Sequence, residues 1–167
     1  KNEALYVLPG ASANVITADI DWTKSYTSLV GLGGPNNLAR GTRLSSLAYR
    51  GGCIISSTAV TVESVLHLTG DRNKFKGIIF NNGGANAACL NAVHLETGVG
   101  NYFKDCTFQG INTTEQDIAT ASSLDIGANA HSPLFEDCII GANTYTFTRT
   151  AVGGQLLFSN VTDAANP

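Results

Sequence analysis

The stretch Val93–Phe108 reads VHLETGVGNYFKDCTF, and its pattern recurs along the chain. One copy precedes it at Leu66–Phe80 (LHLTGDRNKFKGIIF), and a split copy follows at 124–140 (LDIG, then LFEDCII). A weaker fourth copy reads FTR and then LFSNVTD within 147–163. The aromatic residues that align the copies, 28, 32 and 23 residues apart, are Phe75, Phe103, Phe135 and Phe158. An irregular period of this size is typical of a solenoid whose strands keep register while its turns vary in length.

Each copy combines an alternating strand, a glycine-bearing segment and a second apolar motif. The strand directs one face inward through the pairs Leu66/Leu68, Val93/Leu95 and Leu124/Ile126. We expect turns at Gly70, Gly98, Gly127 and Gly153-Gly154. The second motif is Phe-x-[Gly/Asp/Asn]-apolar-x-apolar, and its third position is Gly77, Asp105, Asp137 and Asn160. Because these residue types tolerate positive φ, the motif predicts a left-handed corner between two short strands.

The residues that follow this corner define two inward rows. The first row is predicted to contain Ile78, Cys106, Cys138 and Val161, and the second Phe80, Phe108 and Ile140. Asp163 interrupts the second row, which indicates a last copy that is frayed or covered by another element. Cys53 fits the first row if Gly52 forms its corner, although Tyr49 is then one residue out of register. The cysteines are therefore interpreted as buried free thiols rather than a disulfide framework, with no place assigned to Cys89.

The composition of the 167 residues supports an all-β domain built from short strands. Charged residues make up only 14% of the chain, while Gly accounts for 18 positions. Further strands are predicted at Leu5–Leu8, Val15–Ile20 and Ser28–Leu32, and an exposed loop at Gln109–Ser123. We predict a short, single-stranded, right-handed parallel β-helix (a solenoid) of about five coils. It forms one domain over residues 1–167, with capping strands in 1–26 and coils in 27–163.

Several function classes find no support in the sequence. The net charge of -3 gives no electrostatic reason to bind nucleic acid, and no apolar run is long enough to span a bilayer. The four cysteines form no CxxC pair and lack a nearby histidine at zinc spacing. We therefore assign no nucleic-acid, membrane, metal or cofactor partner.

The repeat resembles the pectin-lyase-like right-handed β-helix superfamily. The resemblance rests on Ala92–Leu95, which are similar to a GIxI strand, and on Tyr102–Phe108, which are similar to the unit F/I-x-N-C-x-F. Tyr26–Gly33 followed by Gly41-Thr42 resembles the first coil of that group, and Leu5–Gly10 resembles the start of β-helical proteins from bacteriophage structural gene clusters. The resemblance covers about residues 27–163. It implies the fold but not a function, because the same solenoid serves lyases, glycosidases, tailspikes and capsid accessory proteins.

In enzymes of that superfamily the chemistry lies on the outward side of the first strand of each coil. The corresponding row here is His67, His94, Asp125 and Thr148. Two imidazoles and a carboxylate stacked in adjacent coils are a candidate carbohydrate-facing or metal-binding row. The alternative is that an exposed strand simply needs polar residues at alternate positions. The same alternative applies to Asp19 and Asp21, which share one face of their strand.

The sequence lacks the signatures that would identify a family enzyme. It contains no Asn-Thr-Asp, Asp-Asp or Gly-His-Gly segment. A glycosidase needs two suitably spaced carboxylates, but the candidate neighbours Asp105 and Asp137 are assigned to corners. No catalytic residue is therefore assigned, and the sequence predicts a non-enzymatic protein.

The resemblance and the weakly charged surface together predict a bacteriophage virion structural protein. It would decorate or stabilise the capsid surface, in contact with proteins such as the major capsid protein, or form part of a tail spike or fibre. A homotrimer is expected, with contacts from the loops at 81–92 and 109–123. The alternative is an extracellular polysaccharide lyase or glycosidase, or a non-catalytic carbohydrate-binding β-helix, that uses the face of His67, His94 and Asp125 on a surface polysaccharide.

Overall fold

The structure is a computed structural model that describes residues 3–9, 14–33, 53–84, 88–109 and 121–141, together with the backbone strand at 156–158. Every regular element within these residues is a β-strand. In chain order the strands are β1 (Ala4–Val7), β2 (Asn14–Val15), β3 (Ile20–Trp22), β4 (Ser28–Gly31), β5 (Cys53–Ser57), β6 (Ser64–Leu68), β7 (Lys74–Lys76), β8 (Ile78–Asn82), β9 (Asn91–Val99), β10 (Tyr102–Lys104), β11 (Thr107–Gln109), β12 (Ser122–His131), β13 (Leu134–Glu136), β14 (Ile139–Ile140) and β15 (Leu156–Phe158).

The strands form three parallel sheets of five strands each. Sheet A has the order β1-β4-β7-β10-β13, sheet B the order β2-β5-β8-β11-β14, and sheet C the order β3-β6-β9-β12-β15. Each strand therefore pairs with the strands three positions before and after it in the chain. The chain passes through sheets A, B and C in turn, and one such passage is called a repeat below. The predicted all-β architecture with parallel strands is confirmed.

The alignment of three phenylalanines, on which the repeat was built, is also confirmed. Phe75, Phe103 and Phe135 lie opposite one another on β7, β10 and β13. Their ring centroids are 4.7 Å apart between Phe75 and Phe103 and 5.2 Å apart between Phe103 and Phe135, with ring planes tilted by 13° and 15°. Phe75 and Phe103 are fully buried, and full burial of such a ring contributes roughly 1.5–3 kcal/mol. The row continues toward the N-terminus through Leu29 and Leu5.

The two inward rows of sheet B complete the core. Ile78 pairs with Cys53, and both are fully buried, as is Cys106 in the next repeat. The assignment of Cys53 to this row is thus confirmed. All four cysteines are free thiols, and Cys138, at the edge of the sheet, is only partly buried. Burial raises the pKa of the Cys106 thiol well above its ordinary value, which keeps it protonated and unreactive.

Left-handed residues form the predicted corner between sheets A and B. Gly77, Asp105 and Asp137 have φ values of 68°, 53° and 53°. The backbone N–H of Gly77 donates to Lys104 O, and that of Asp105 donates to Glu136 O, so the corners are hydrogen-bonded from repeat to repeat. Asn160, the fourth predicted corner residue, lies outside the described residues.

The corner between sheets C and A differs from the prediction. Its left-handed residues are Tyr26, Arg72, Gly100 and Ser132. Gly98 and Gly127 instead lie inside β9 and β12. A Cβ added at Gly127 would lie 2.8 Å from Glu96 O, and one at Gly70 would lie 2.0 Å from Lys24 O. These glycines are therefore required by the close approach of neighbouring repeats. The turn prediction was wrong for Gly98 and Gly127, whereas Gly70 lies in the segment that connects β6 to β7, as predicted.

A ladder of buried side chains holds the same corner together. Asn73 Oδ1 accepts hydrogen bonds from the backbone N–H and the hydroxyl of Thr27, at 2.9 and 2.7 Å. One repeat later, Asn101 Oδ1 accepts the backbone N–H of Asn73 at 2.9 Å, and Asn101 Nδ2 donates to Gly70 O. Asn73 and Asn101 are almost completely buried. Their side chains replace backbone partners that a turn cannot supply.

Two predicted alignments are wrong. Phe158 pairs with Ile126 in sheet C, so it does not extend the phenylalanine row of sheet A, and Asn160 and Val161 lose the basis of their assignments. For the same reason Thr148 does not continue the outward row, because Leu157 is the residue in register with Asp125. In the repeat that contains Cys53, the row position predicted near Tyr49 belongs to Leu29, in register with Phe75. Thr148 and Tyr49 themselves lie outside the described residues.

Three predicted segment boundaries also change. The strand expected at Val15–Ile20 is divided into β2 and β3, on different sheets. The loops expected at 81–92 and 109–123 are shorter, because Asn82, Gln109 and Ser122 are strand residues and are buried. The apolar runs of sheet B are typical of strands buried on both faces, and Ile54 and Ile79 are indeed only 8% and 1% exposed.

Candidate functional site

The outer face of sheet C carries one continuous polar row. His67 on β6 is in register with Asp21 on β3 and with His94 on β9, and His94 is in register with Asp125 on β12. Alternation along each strand directs these side chains outward because Leu66/Leu68 and Val93/Leu95 face the core. The structure thus brings together the predicted residues His67, His94 and Asp125, and it adds Asp21 to their row.

The members of this row bind one another across the repeats. His67 Nδ1 lies 2.9 Å from Asp21 Oδ1, and His67 Nε2 lies 2.8 Å from Glu96 Oε2. His94 Nε2 lies 3.3 Å from Asp125 Oδ2. The two imidazole rings stack with centroids 5.3 Å apart and planes 27° from parallel. Carboxylates and imidazoles therefore connect four successive strands of sheet C.

The electrostatics of His67 favour its protonated form. Partial burial lowers the pKa of His67, but the hydrogen bonds that its ring donates to Asp21 and Glu96 oppose this effect, and the pKa lies above its ordinary value. An imidazolium donates from both ring nitrogens, which suits a carboxylate at each nitrogen. A histidine held in this way has no free nitrogen with which to accept a proton.

Asp125 is the most enclosed carboxylate of the row, with a side chain that is 15% exposed. Burial raises the pKa of Asp125, and the neighbouring His94 acts in the opposite direction. Its Oδ1 atom is buried and has no hydrogen-bond partner among the described residues. A carboxyl group with a raised pKa is the property expected of a general acid, and this is the row's one feature that favours catalysis.

Sequence reasoning missed Glu96 and the pairing role of Asp21. Glu96 lies two residues after His94 and is therefore on the same side of β9, a position that the period of two could have identified. Asp21 was recognised as a residue of an exposed strand face, but its strand is separated from β6 by 41 residues that include β4 and β5. The repeat motif does not extend across that interval.

A pocket of about 510 Å³ lies at the N-terminal edge of sheets A and C. Its lining residues are Glu3, Ala4, Leu5, Asp21, Trp22, Thr23, Lys24, Thr27 and Ser28. Trp22 contacts Phe75 edge-to-face at 5.4 Å, and its Nε1 donates to Thr27 Oγ1. The pocket therefore meets the polar row only at Asp21, its outermost member.

Among the described residues, no cluster of three or more His, Cys, Asp or Glu side chains is arranged to hold a metal ion. The described part of the chain also contains no helix long and apolar enough to cross a membrane. Comparisons of the chain with protein-family models, with curated proteins and with solved structures each find no match.

Proposed function

We propose that the chain is a short right-handed parallel β-helix of about five coils that serves as a non-enzymatic structural protein of a bacteriophage particle. In this role it decorates or stabilises the capsid surface, beside proteins such as the major capsid protein, or forms part of a tail spike or fibre. It acts as a homotrimer outside the host cell. The resemblance of Leu5–Gly10 to the start of β-helical proteins from bacteriophage structural gene clusters supports this assignment.

The observation that carries the non-enzymatic proposal is the pairing of the carboxylates Asp21, Glu96 and Asp125 with the two histidines of the outward row. A glycosidase needs one carboxyl group free to protonate the leaving group and another free to attack or to activate water. Here Asp21 and Glu96 both bind His67, and Asp125 faces His94. Side chains that pair with the next strand act as clamps between repeats. This arrangement supports a rigid scaffold rather than a reaction centre.

Uncovered apolar side chains at the N-terminal edge support an assembled state. Leu5, Leu8 and Val15 are 59%, 66% and 65% exposed, and β1, β2 and β3 are edge strands of their sheets. An open sheet edge beside apolar side chains promotes association with other protein. Neighbouring subunits or virion proteins would cover this edge in the particle.

The particle assignment is tested by immunogold electron microscopy. Antibodies raised against the purified chain are applied to phage particles concentrated from the source that encodes it. We expect gold label on the icosahedral shell or on the tail of one particle type. Label confined to cell debris or free protein, with unlabelled particles, would contradict the assignment.

The alternative, a polysaccharide lyase or glycosidase, rests on the partly buried Asp125 and its raised pKa. It is tested by incubating the purified chain with neutral and acidic surface polysaccharides and measuring new reducing ends and unsaturated products. We expect no turnover. Turnover that disappears in the variant His94→Ala/Asp125→Ala, while a control variant His131→Ala at an exposed position stays active, would replace the structural proposal with the enzymatic one.

A further inference from the structure

The outer face of sheet A collects most of the described positive charge. Of the five Lys and Arg side chains in the described ranges, only Lys24 lies elsewhere. Lys74 and Lys76 project from β7, Lys104 projects from β10, and Arg72 lies at the corner that leads into β7. Among the described outward residues of the sheet A strands, the one carboxylate is that of Glu136 on β13, which binds Lys104 and the hydroxyl of Tyr102. The face as a whole is basic.

Exposed tyrosines accompany these cations. Tyr6 is 62% exposed on β1, and Tyr26 is 51% exposed with the Arg72 guanidinium 5.5 Å from its ring centroid. Tyr and Arg are enriched where protein surfaces meet because they combine apolar contact area with hydrogen-bonding groups. The chemistry of this face therefore suits an acidic protein surface.

The outer face of sheet C has the opposite charge. The side chains of Asp21 and Glu96 are 67% and 52% exposed, although both contact His67, and the exposed Glu63 immediately precedes β6. Asp125 adds a fourth carboxylate to the face. Both sheets repeat at the common inter-strand spacing of about 4.8 Å. Two copies that lie side by side with parallel axes would thus bring the lysines of β7 and β10 opposite the carboxylates of β9 and β12.

We propose that sheet A of one copy docks on sheet C of a second copy. The proposal rests on the self-assembly proposed above and identifies the surfaces that would form it. Because the two faces differ, the contact is heterologous and builds a ring when the rotation between copies closes. Five strands three or four residues wide cover only about 300 Å², below the about 800 Å² per partner of a typical stable interface. The charged contact is therefore expected to be concentration-dependent and sensitive to salt.

Sedimentation of the full chain at several concentrations, in about 50 mM and about 500 mM salt, tests the docking. The variant Lys74→Glu/Lys76→Glu reverses the charge at two positions on the outer face of sheet A, and Glu63→Lys/Glu96→Lys does the same for sheet C. We expect each variant to weaken association at low salt by about tenfold or more, and the combined fourfold variant to restore it. Lys24→Glu makes the same chemical change in the segment between β3 and β4, outside the strand rows of both faces, and is expected to have no effect. Circular dichroism confirms that each variant is folded.

The outcomes separate the docking from the assembly itself. A wild-type oligomer whose mass is unchanged in both reversed variants overturns the docking and leaves the proposed assembly in place. A wild type that is monomeric at every concentration overturns both. Binding of polyglutamate by the wild type without self-association would assign sheet A to a foreign acidic partner, and this also overturns the proposal.

Discussion

Phe103 stacks on Phe75 with ring centroids 4.7 Å apart, although the two residues are 28 positions apart in the chain. Their strands are in register, so the side chains occupy equivalent positions in consecutive repeats. Equivalent residues of consecutive repeats thus pack on one another, and each passage through the three sheets adds one residue to the apolar row. The outward row of sheet C follows the same rule with imidazoles and carboxylates.

The phenylalanine row predicts a graded response to truncation. Phe103→Ala, in the middle of the row, should lower the free energy of unfolding by about 3–5 kcal/mol. Phe135→Ala should cost about half as much, because Phe135 is only partly buried. Urea denaturation measures both losses. Equal losses at the two positions would contradict the stacked arrangement.

The left-handed corner predicts opposite responses to two substitutions at Asp105. Its φ of 53° is unfavourable for a β-branched residue, so Asp105→Val should destabilise the protein by about 1–2 kcal/mol. Asp105→Gly should be close to neutral, because glycine occupies the equivalent corner at Gly77. The difference is read from thermal unfolding of the two variants. A glycine variant as unstable as the valine variant would show that the side chain of Asp105, rather than its backbone, maintains the corner.

The asparagine ladder predicts a large effect from the loss of a small polar group. Asn101→Ala removes the partner of the Asn73 N–H and of Gly70 O, both in the buried corner, and should cost about 2–3 kcal/mol. Asn129→Ala, at an exposed position of β12, is the matched control and should change stability by less than about 0.5 kcal/mol. Chemical denaturation compares the two. Similar losses would mean that the ladder contributes little.

The ion pairs of His67 predict a pH-dependent stability. Because its folded-state pKa is raised, the pairing contributes fully below the unfolded pKa of about 6.5 and is lost as pH rises through the folded pKa. At about pH 6 the free energy of unfolding of the wild type should exceed that of Glu96→Gln by about 0.5–1 kcal/mol, a value typical of solvent-exposed pairs. The difference should shrink toward about pH 9. Denaturation at a series of pH values measures it, and a difference that grows with pH would have the wrong sign.

The sequence predicted features that recur with the same residues in each repeat. The row through Phe75, Phe103 and Phe135 and the corner at Asp105 could be predicted because three copies have nearly the same sequence. The C-terminal alignment failed because Phe158 repeats the aromatic residue without repeating its strand, and it pairs with Ile126 instead. A local motif match therefore predicts the sheet to which a residue belongs only where the strands between the two copies also match.

The remaining differences arise from long-range pairing. Asn73 and Asn101 each lie two residues before a row phenylalanine, a signal present in the sequence, but their hydrogen bonds depend on which turns are stacked. Leu29 replaces phenylalanine in its row, and the 21 residues between β4 and β5 conceal that repeat. The sequence was sufficient to assign Glu96 to the outward face. Its contact with His67 on the neighbouring strand of sheet C could not be predicted, because it depends on how the strands pair.

The most direct test of a clamp rather than an active site is the ionisation of His67 in the folded protein. Nitrogen-15 NMR of the imidazole, recorded against pH, reports the pKa and the protonation of each ring nitrogen. We expect a midpoint above the ordinary value of about 6.5, with both nitrogens protonated below it, as the contacts with Asp21 and Glu96 require. A midpoint below that value, with one nitrogen unprotonated and free, would contradict the clamp and favour a histidine available for catalysis.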